Sequence, residues 1–347
     1  IFREEDLPIL DYCIEEGRKV EPKNYEPIFP TILVNGTDGI GTGYSTYIPC
    51  FDPKDIVNAL KAMIEETEFK DIHPRYQGFT GKIAKESEQR YQMKGSYEIL
   101  DDETVHITEL PIFMSFEKYR EYLISIEMAD KKEVSDKKLI VDFEQKPFPN
   151  KVDIIVKFKP TELQKLIKNG EVEKYLKLNT TISLSNMTLF NSANKLIKYD
   201  GTYDIIEDFY VHRREIYQKR KDYHTKVLEN DMNIIKYKVK FIEGILAKDI
   251  IIERQKKDKI IAKLVELKFP KLARSIDNPD VTYQYLTDLP LWTLTYEKIE
   301  ELKKELEDTR RVLEEYKKLT VNDIWLSELD DFMESYEKWL KEWEEEK

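Results

Sequence analysis

The densest group of residues whose types and spacing could do chemistry is the glycine-rich stretch VNGTDGIGTGYSTYIP at residues 34–49. Four of the chain's 11 glycines lie within eight of these residues: Gly36, Gly39, Gly41 and Gly43. The backbone N–H groups of such loops can cradle phosphate. The spacing from Gly36 to Gly41 fits a P-loop, but Thr42 stands where that loop needs lysine. Tyr44 likewise replaces the third glycine of a dinucleotide fingerprint, so these details disfavour a nucleotide site.

Two other interpretations of this stretch stay open from the residues alone. The dipeptides Asn35-Gly36 and Asp38-Gly39 are typical of turns, so the glycines could serve a structural turn. Ile40, however, is a bulky β-branched residue among glycines that lack a Cβ. Proteins that kink DNA insert such an apolar side chain between base steps, while a close backbone bonds to phosphates. Ile40 is therefore a candidate DNA wedge.

The net charge of the chain at first argues against nucleic acid. Its 56 basic and 68 acidic residues give −12, whereas DNA-binding domains usually carry a basic surface. The acidic excess lies at the ends, since residues 296–347 hold 10 basic and 18 acidic side chains and residues 1–30 hold 4 and 8. Residues 31–295 are therefore neutral overall and do not exclude DNA. Residues 211–226 carry six basic and two acidic side chains, which is typical of a solvated helix face and leaves a nucleic-acid contact open.

Composition narrows the class of protein. With 41% apolar residues over 347 positions, the chain can fill a sizeable core in roughly two domains. No run approaches the roughly 18 apolar residues of a membrane span, so we expect a soluble, intracellular protein with no membrane partner. Cys13 and Cys50 fit a reducing compartment, and with four scattered histidines they give no zinc-ligand spacing. Because the chain starts at Ile1 and first reaches methionine at Met63, we expect a piece of a longer chain.

Proline placement and periodicity indicate the elements that must position the glycine stretch. Eleven of the 14 prolines lie at or before Pro160, so that part is turn-rich and mixed. Within it, residues 31–34 and 152–158 are predicted strands, and residues 53–65 are a predicted helix with proline in its first turn. Residues 204–247 contain no proline, which predicts one continuous helix about 66 Å long.

Heptad spacing predicts that this long helix pairs with a returning one. Apolar residues alternate at spacings of four and three along its second half: Leu228, Met232, Ile235, Val239, Ile242 and Leu246. Residues 248–294, with three prolines and an apolar cluster, are predicted to form a small knob. The spacing then resumes: Ile299, Leu302, Leu306, Thr309, Leu313 and Tyr316. A capped helical segment begins near Asn322, so the returning helices match the outgoing one at about 70 Å and an antiparallel two-helix stalk is predicted.

Motifs spread over almost the whole chain carry a resemblance. The longest is PIFPTILVNGTDGIGTGYSTYIP at residues 27–49. Others follow in order: GFTGKI at 78–83, ITELP at 107–111, ISLSNMTLF at 182–190, YQYLTDLPLWTLT at 283–295 and DIW at 323–325. In order and spacing, these motifs resemble the DNA-cleavage core of eukaryotic-type type II DNA topoisomerases. Residues 27–49 are similar to that family's DNA-gate segment.

The resemblance implies a function and a set of site residues. Members of the family are ATP-driven homodimers that cut one DNA duplex, pass a second through the break and reseal it. The family's nucleophilic tyrosine, Mg2+ site and ATPase domain would lie upstream of Ile1, so we expect no catalytic residue, metal site or bound cofactor here. Ile40 falls on the family's DNA-bending isoleucine. The other implied DNA-binding residues are Gly39, Gly41, Thr42, Gly43 and Ser115, and the implied contacts of a dimeric exit gate are Leu289, Leu291 and Trp292.

The predicted fold class is α+β, with a mixed tower-like domain followed by the coiled-coil stalk and a helical exit-gate knob. The predicted division is a connector (1–30), a tower-like DNA-gate domain (31–200), an outgoing arm (201–247), the knob (248–294) and a returning arm with a C-terminal helix (295–347). Expected partners are double-stranded DNA and a second copy of the chain. The expected function is binding and bending of the gate DNA and formation of the exit gate.

A rival interpretation is a non-enzymatic coiled-coil scaffold or DNA-binding tether. The stalk alone fits either interpretation, and the glycine stretch with Ile40 favours the enzyme because a tether has no need of a wedge. The short connection between Pro270 and Tyr283 suggests a compact, viral version of the family. We expect the nucleus for a cellular source, and host cytoplasm, viral factory or virion for a viral one.

Overall fold

A computed structural model describes residues 1–68, 70–127, 139–146, 151–277 and 280–346 of the chain. The chain divides into two compact units. The sheet unit is Phe29–Tyr210, and the helical unit combines Ile1–Ile28 with Val211–Lys347. The five-part division predicted from sequence is finer than this and stays a prediction.

Helices and short antiparallel strands alternate along the chain, which makes it a mixed α/β protein. The helices are α1 (Thr31–Asn35), α2 (Pro53–Ile64), α3 (Phe116–Glu127), α4 (Glu162–Asn169), α5 (Val172–Tyr175), α6 (Thr202–Leu246), α7 (Lys257–Glu266), α8 (Gln284–Thr287), α9 (Tyr296–Lys318) and α10 (Val321–Glu345), with 3-10 helices at Glu4–Ile9 and Leu291–Leu294. The strands are β1 (Tyr12–Glu15), β2 (Arg18–Pro22), β3 (Thr37–Ile40), β4 (Ser45–Ile48), β5 (Lys82–Ser87), β6 (Arg90–Lys94), β7 (Ser96–Ile99), β8 (Thr104–Glu109), β9 (Ile140–Gln145), β10 (Ile154–Phe158), β11 (Asn179–Ser183), β12 (Met187–Phe190) and β13 (Leu196–Tyr199).

The core of the sheet unit is a four-stranded antiparallel sheet in the order β7-β8-β10-β9. Strand β10 buries alternate residues, Ile154, Val156 and Phe158, because successive side chains of a strand point to opposite faces. Ile154 and Val156 pair with buried residues of β8. Tyr119 and Leu123 of α3 belong to the same apolar cluster. The strand predicted at residues 152–158 is therefore confirmed.

The smaller sheets of this unit place the glycine stretch. Strands β11-β6-β5 form a three-stranded antiparallel sheet, while β3-β4 and β12-β13 are two-stranded ribbons. The β3-β4 ribbon coincides with the glycine stretch. An isolated two-stranded ribbon is marginally stable in water, so this one needs support from its neighbours.

The strand predicted at residues 31–34 is wrong, because this segment forms the short helix α1. Pro30 precedes it with φ −70°, and Gly36 ends it with φ +64° while its N–H donates to the Ile32 carbonyl. Only Leu33 is buried in this helix. A run of four apolar residues fits a strand or a helical turn equally, so the flanking proline and glycine decide the outcome.

Two longer helices agree with their predictions. Helix α2 begins at Pro53, and the Asp52 side chain accepts a hydrogen bond from the Lys54 N–H, which caps the helix. Helix α6 runs for 45 residues without interruption, close to the predicted 204–247. Its single internal glycine, Gly244, does not break it.

In the helical unit, α9 lies antiparallel to residues 211–246 of α6. Lys317 pairs with Glu229 at 2.5 Å and Lys303 pairs with Glu243 at 2.7 Å, so residue numbers rise on one helix as they fall on the other. An apolar cluster formed by predicted seam residues joins the two helices: Ile235, Val239, Ile242, Ile299 and Leu302. A second cluster joins α6 to α7 and α8 and includes Phe241, Leu264 and Leu286.

A buried ion network connects three distant parts of the helical unit. Arg213 Nη2 lies 2.6 Å from Asp6 Oδ2, and Arg220 lies 3.4 Å from Asp6 and 2.6 Å from Glu328. Tyr217 donates its hydroxyl to Glu328 at 2.7 Å. Arg213 is 0% exposed and Arg220 is 2% exposed, so the nucleic-acid contact left open for residues 211–226 does not involve these two arginines.

We predict that Asp6→Ala lowers the free energy of unfolding by about 3–5 kcal/mol, because it leaves the buried charge of Arg213 without its carboxylate. Chemical denaturation of the chain measures this change. Glu4→Ala is the matched control, since Glu4 lies exposed in the same 3-10 helix and its loss should cost less than about 0.5 kcal/mol. Equal effects of the two substitutions would contradict the role of the network.

Candidate nucleic-acid interface

The glycine stretch forms an antiparallel hairpin with Ile40 beside its turn. The pairs are Thr37↔Ile48, Asp38↔Tyr47, Gly39↔Thr46 and Ile40↔Ser45. Ile40 ends β3 and is 94% exposed, more than any other large apolar residue of the described chain. An isolated exposed apolar side chain is ordinary, but one carried beside a tight turn is well placed to enter a partner.

The turn at the tip of the hairpin needs glycine at one position. Gly41 N–H donates to the Tyr44 carbonyl at 2.8 Å, so Thr42 and Gly43 form the tip. Gly43 has φ +91°, a conformation that residues with a Cβ rarely adopt. Gly41, Thr42, Gly43 and Tyr44 are all exposed.

The interpretation of the glycines as a structural turn fits Gly36 but not Gly39. Gly36 does occupy a left-handed position at the end of α1. Asp38 and Gly39, in contrast, lie within strand β3, where a Cβ at Gly39 would lie 3.3 Å from the Thr46 methyl group across the ribbon. The turn therefore lies four residues later than the Asp38-Gly39 dipeptide suggests, and this places Ile40 at the strand end.

Strand β12 supports the hairpin from the side. Tyr47 N–H donates to the Asn186 carbonyl at 2.8 Å, and the Asn186 side-chain amide donates to Ser45 Oγ at 2.8 Å. Thr188 N–H donates to Thr46 Oγ1 at 3.2 Å. These three hydrogen bonds hold three consecutive residues of β4.

The base of the hairpin is held by close packing at Gly36. A Cβ at this position would lie 2.8 Å from the Ile48 carbonyl oxygen and 3.0 Å from Cys50 Sγ. Cys50 Sγ itself lies 3.3 Å from the Asn35 carbonyl, which it can reach as a weak donor. The backbone therefore crosses over itself here with room only for glycine.

Three aromatic rings meet beside β4. Phe113 contacts Tyr47 and Tyr76 edge-on, with ring centroids 6.0 Å apart in both cases. The hydroxyls of Tyr47 and Tyr76 lie 3.1 Å apart. Burial raises the pKa of Tyr47, and burial together with the hydrogen bond between the two hydroxyls raises the pKa of Tyr76, so both hydroxyls stay protonated at neutral pH.

The structure brings some of the predicted DNA-binding residues together. Gly39, Ile40, Gly41, Thr42 and Gly43 lie on one hairpin. Ser115 is exposed and lies just before α3, where its Oγ accepts the Lys118 N–H at 3.3 Å, as in a helix cap. The segment around Ser115 reaches the hairpin through Phe113. A DNA contact by Ser115 stays a prediction.

Sequence reasoning missed the residues that support the hairpin, notably Ser45, Tyr76 and Asn186. Asn186 lies within the ISLSNMTLF motif, so the resemblance contained a signal that the spacing of residues did not. The predicted exit-gate residues lie in the helical unit. Leu289 packs against both apolar clusters, Trp292 is 76% exposed, and the side chain of Leu291 lies outside the described part of the structure.

Neither a metal cluster nor a membrane span is found in the described residues. These residues include no group of three or more His, Cys, Asp or Glu side chains that could hold a metal ion. The described helices also include none that is long and apolar enough to cross a membrane.

The chain matches a known class of DNA enzymes over almost its whole length. Residues 1–330 match the model of the family formed by the A subunits of DNA gyrase and topoisomerase IV. The chain belongs to this family, and the resemblance inferred from its motifs is confirmed.

The relatives to which this chain is similar are type II topoisomerases. DNA topoisomerase 2 of Plasmodium falciparum is 35% identical over 97% of this chain and 26% of that protein. DNA topoisomerase 2 of Acanthamoeba polyphaga mimivirus is 33% identical over 97% of this chain and 31% of that protein. The solved Plasmodium falciparum topoisomerase II DNA-binding, cleavage and re-ligation domain matches with a TM-score of 0.80 and 33% identity, over 98% of this chain and 49% of that one. The chain thus spans between a quarter and a third of these two curated relatives.

We predict that Gly36→Ala destabilises the sheet unit more than Gly170→Ala does. Gly170 ends α4 in the αL conformation (φ +69°, ψ 28°), where alanine costs about 1–2 kcal/mol, whereas Gly36 ends α1 at φ +64° and ψ 175°, a region that essentially only glycine adopts. Only at Gly36 does the new Cβ meet backbone, which adds about 1–3 kcal/mol of overpacking. Urea unfolding of the two variants measures the difference, and equal losses would contradict close packing at the hairpin base.

Proposed function

We propose that this chain is part of the breakage-reunion core of an ATP-dependent type II DNA topoisomerase, where it binds and bends the gate duplex. The observation that carries the proposal is Ile40, 94% exposed at the end of a hairpin that is hydrogen-bonded to β12. The family assignment supplies the class of reaction. In the complete protein, ATP and Mg2+ serve strand passage and DNA cleavage through parts outside these residues.

The hairpin bends DNA by insertion of an apolar wedge. Ile40 enters between two base steps, and bending a short site costs on the order of 1–6 kcal/mol. Burial of the Ile40 side chain and hydrogen bonds from the tip backbone to phosphates offset this cost. Gly41 and Gly43 allow the tip backbone to approach the duplex because they present no Cβ. The contact reads no bases, so binding is governed by shape and phosphate charge.

The helical unit forms the arm and the exit gate. In this proposal, the antiparallel helices α6 and α9 form a coiled-coil stalk, and residues 248–294 form the knob at its far end. Trp292 and Tyr296, 76% and 75% exposed, provide an apolar surface for the second copy, together with Leu289 and Leu291. Exposed aromatic residues of this kind are enriched at the centres of protein interfaces.

In this proposal, the chain belongs to a homodimer that acts on double-stranded DNA. Its location is the nucleus for a cellular source, and the host cytoplasm, viral factory or virion for a viral one. The scaffold or tether interpretation is less favoured, because it accounts for the helices but not for an anchored isoleucine wedge in a chain of this family. The predicted connector, DNA-gate domain, arms and knob are retained as parts of this proposal.

We predict that Ile40→Ala, in the complete protein, reduces both gate-DNA bending and cleavage. The substitution removes three carbons from the wedge, worth roughly 2 kcal/mol of burial against the base step. FRET between the ends of a short duplex measures the bend. Ile99→Ala is the matched control, since Ile99 is 45% exposed in the same unit, and it should leave the bend unchanged. A bend equal to that of the parent in Ile40→Ala would sink the wedge proposal.

We also predict that Trp292→Glu weakens dimerisation about 30-fold, because a charge replaces an aromatic contact worth about 2 kcal/mol. Analytical ultracentrifugation over a concentration series measures the dimer dissociation constant. Val312→Glu on α9, at a residue 46% exposed, controls for an added charge elsewhere in the helical unit. If both variants dimerise like the parent, the exit-gate assignment fails.

A further inference from the structure

Phe113 is an aromatic residue in a backbone conformation that aromatic residues rarely adopt. Its φ is +73°, in the left-handed region. The other described residues with positive φ, glycine aside, are all polar or charged: Glu16, Glu66, Thr161, Lys177, Asn194, Lys248, Arg254 and Lys268. Strained backbone of this kind persists when surrounding contacts enforce it, and it concentrates at functional sites.

The contacts that enforce it come from Tyr47 on β4 and from Tyr76 in the segment between α2 and β5. The Phe113 ring lies edge-on to Tyr47 at an interplanar angle of 70° and to Tyr76 at 90°. Edge-to-face packing of this kind fixes ring orientation as well as distance. The hydroxyl contact between Tyr47 and Tyr76 closes the triangle. The three residues, called here the aromatic brace, therefore hold one another in a single arrangement.

The brace contacts the face of the hairpin that carries the wedge. Directly paired residues of an antiparallel ribbon share a face, so Ile40 lies on the same face as Ser45. Side chains two residues apart along a strand also share a face, which adds Tyr47. Phe113 thus packs against the face of the hairpin that carries Ile40. It does so through Tyr47, which is two residues along β4 from the partner of Ile40, Ser45.

A hairpin that bends DNA experiences a force at its tip, and the aromatic brace resists that force. A wedge that bends a duplex experiences an equal and opposite force, which acts at the tip of a two-stranded ribbon. The bonds to β12 hold β4 along its edge. Contacts against the face of the ribbon oppose a different motion, tilting of the tip out of the plane of the ribbon, and the brace supplies such contacts through Tyr47.

We propose that Phe113 is a positioning residue, which acts through Tyr47 to fix the angle at which Ile40 enters DNA. This inference rests on the proposed wedge function. Phe113 is itself 62% exposed, so a direct contact of its ring with DNA is the competing explanation. The two explanations differ in how the effects of Phe113 and Ile40 combine.

The test is a double-mutant cycle in the complete protein, with DNA bend angle by FRET and DNA affinity by fluorescence anisotropy as readouts. Phe113→Ala should lose bend, as Ile40→Ala does, and Phe113→Tyr should retain it because the ring is kept. The double variant should bend no less than Ile40→Ala alone, since a brace has nothing to position once the wedge is gone. Additive losses in the double variant would overturn the proposal in favour of a direct contact.

A second measurement needs no DNA. Hydrogen exchange of the hairpin amides, including the Gly41 N–H bonded to Tyr44, should become faster in Phe113→Ala and stay unchanged in Phe190→Ala, a residue 69% exposed on β12. Tyr76→Phe, which removes only the hydroxyl contact, should give a smaller increase and serves if Phe113→Ala does not fold. Unchanged exchange in both Phe113→Ala and Tyr76→Phe would overturn the brace.

The outcomes separate the two levels of inference. If Ile40→Ala loses bend and Phe113→Ala does not, the brace is wrong and the wedge stands. If Ile40→Ala keeps its bend, the wedge function fails, and faster exchange in Phe113→Ala would still support the mechanical role of Phe113 in holding the hairpin.

Discussion

The constraint on which this site depends is that an apolar side chain must be held in water at a fixed angle. Ile40 is 94% exposed, so burial of its own side chain contributes almost nothing to its position. Its position must come from the backbone of the hairpin and from residues behind it. The hydrogen bonds from Asn186 and Thr188, the close backbone packing at Gly36 and the ring contacts of Phe113 all act on β3 and β4 rather than on Ile40 itself.

The helical unit solves a different positioning problem with buried charge. Asp6, Arg213 and Glu328 come from the beginning, the middle and the last helix of the chain, and Arg220 joins the two carboxylates. A buried ion network is directional, because a shift of any member leaves a charge without its partner. A shift of α10 along α6 would separate Glu328 from Arg220 and Tyr217, so the network fixes the register of these two helices.

The sequence predicted what depends on local pattern and failed where distant residues decide. The helix that begins at Pro53 and the uninterrupted 45 residues of α6 are encoded in neighbouring residues, and both predicted helices are confirmed. Residues 31–34 were too few for periodicity to separate strand from helix. The burial of Arg213 could not be predicted from local sequence, because its partner Asp6 lies 207 residues away. The approach of Phe113 to Tyr47 likewise depends on how the sheet unit folds, although Ile40 itself stood out by residue type alone.

The composition of the hairpin suits it to bending DNA rather than to attracting DNA by charge. Residues 34–49 contain one charged side chain, that of Asp38, which is acidic and exposed. The hairpin therefore provides no cationic attraction for phosphates, and what it offers DNA is an apolar wedge, backbone N–H groups and hydroxyls. Attraction by charge weakens with salt, while apolar insertion does not. In the proposed function, affinity therefore comes mainly from lysine and arginine elsewhere, and the hairpin sets the shape of a duplex that other residues bind. This division explains why the contacts around the hairpin are neutral hydrogen bonds and aromatic rings: they resist tilting equally well at any ionic strength.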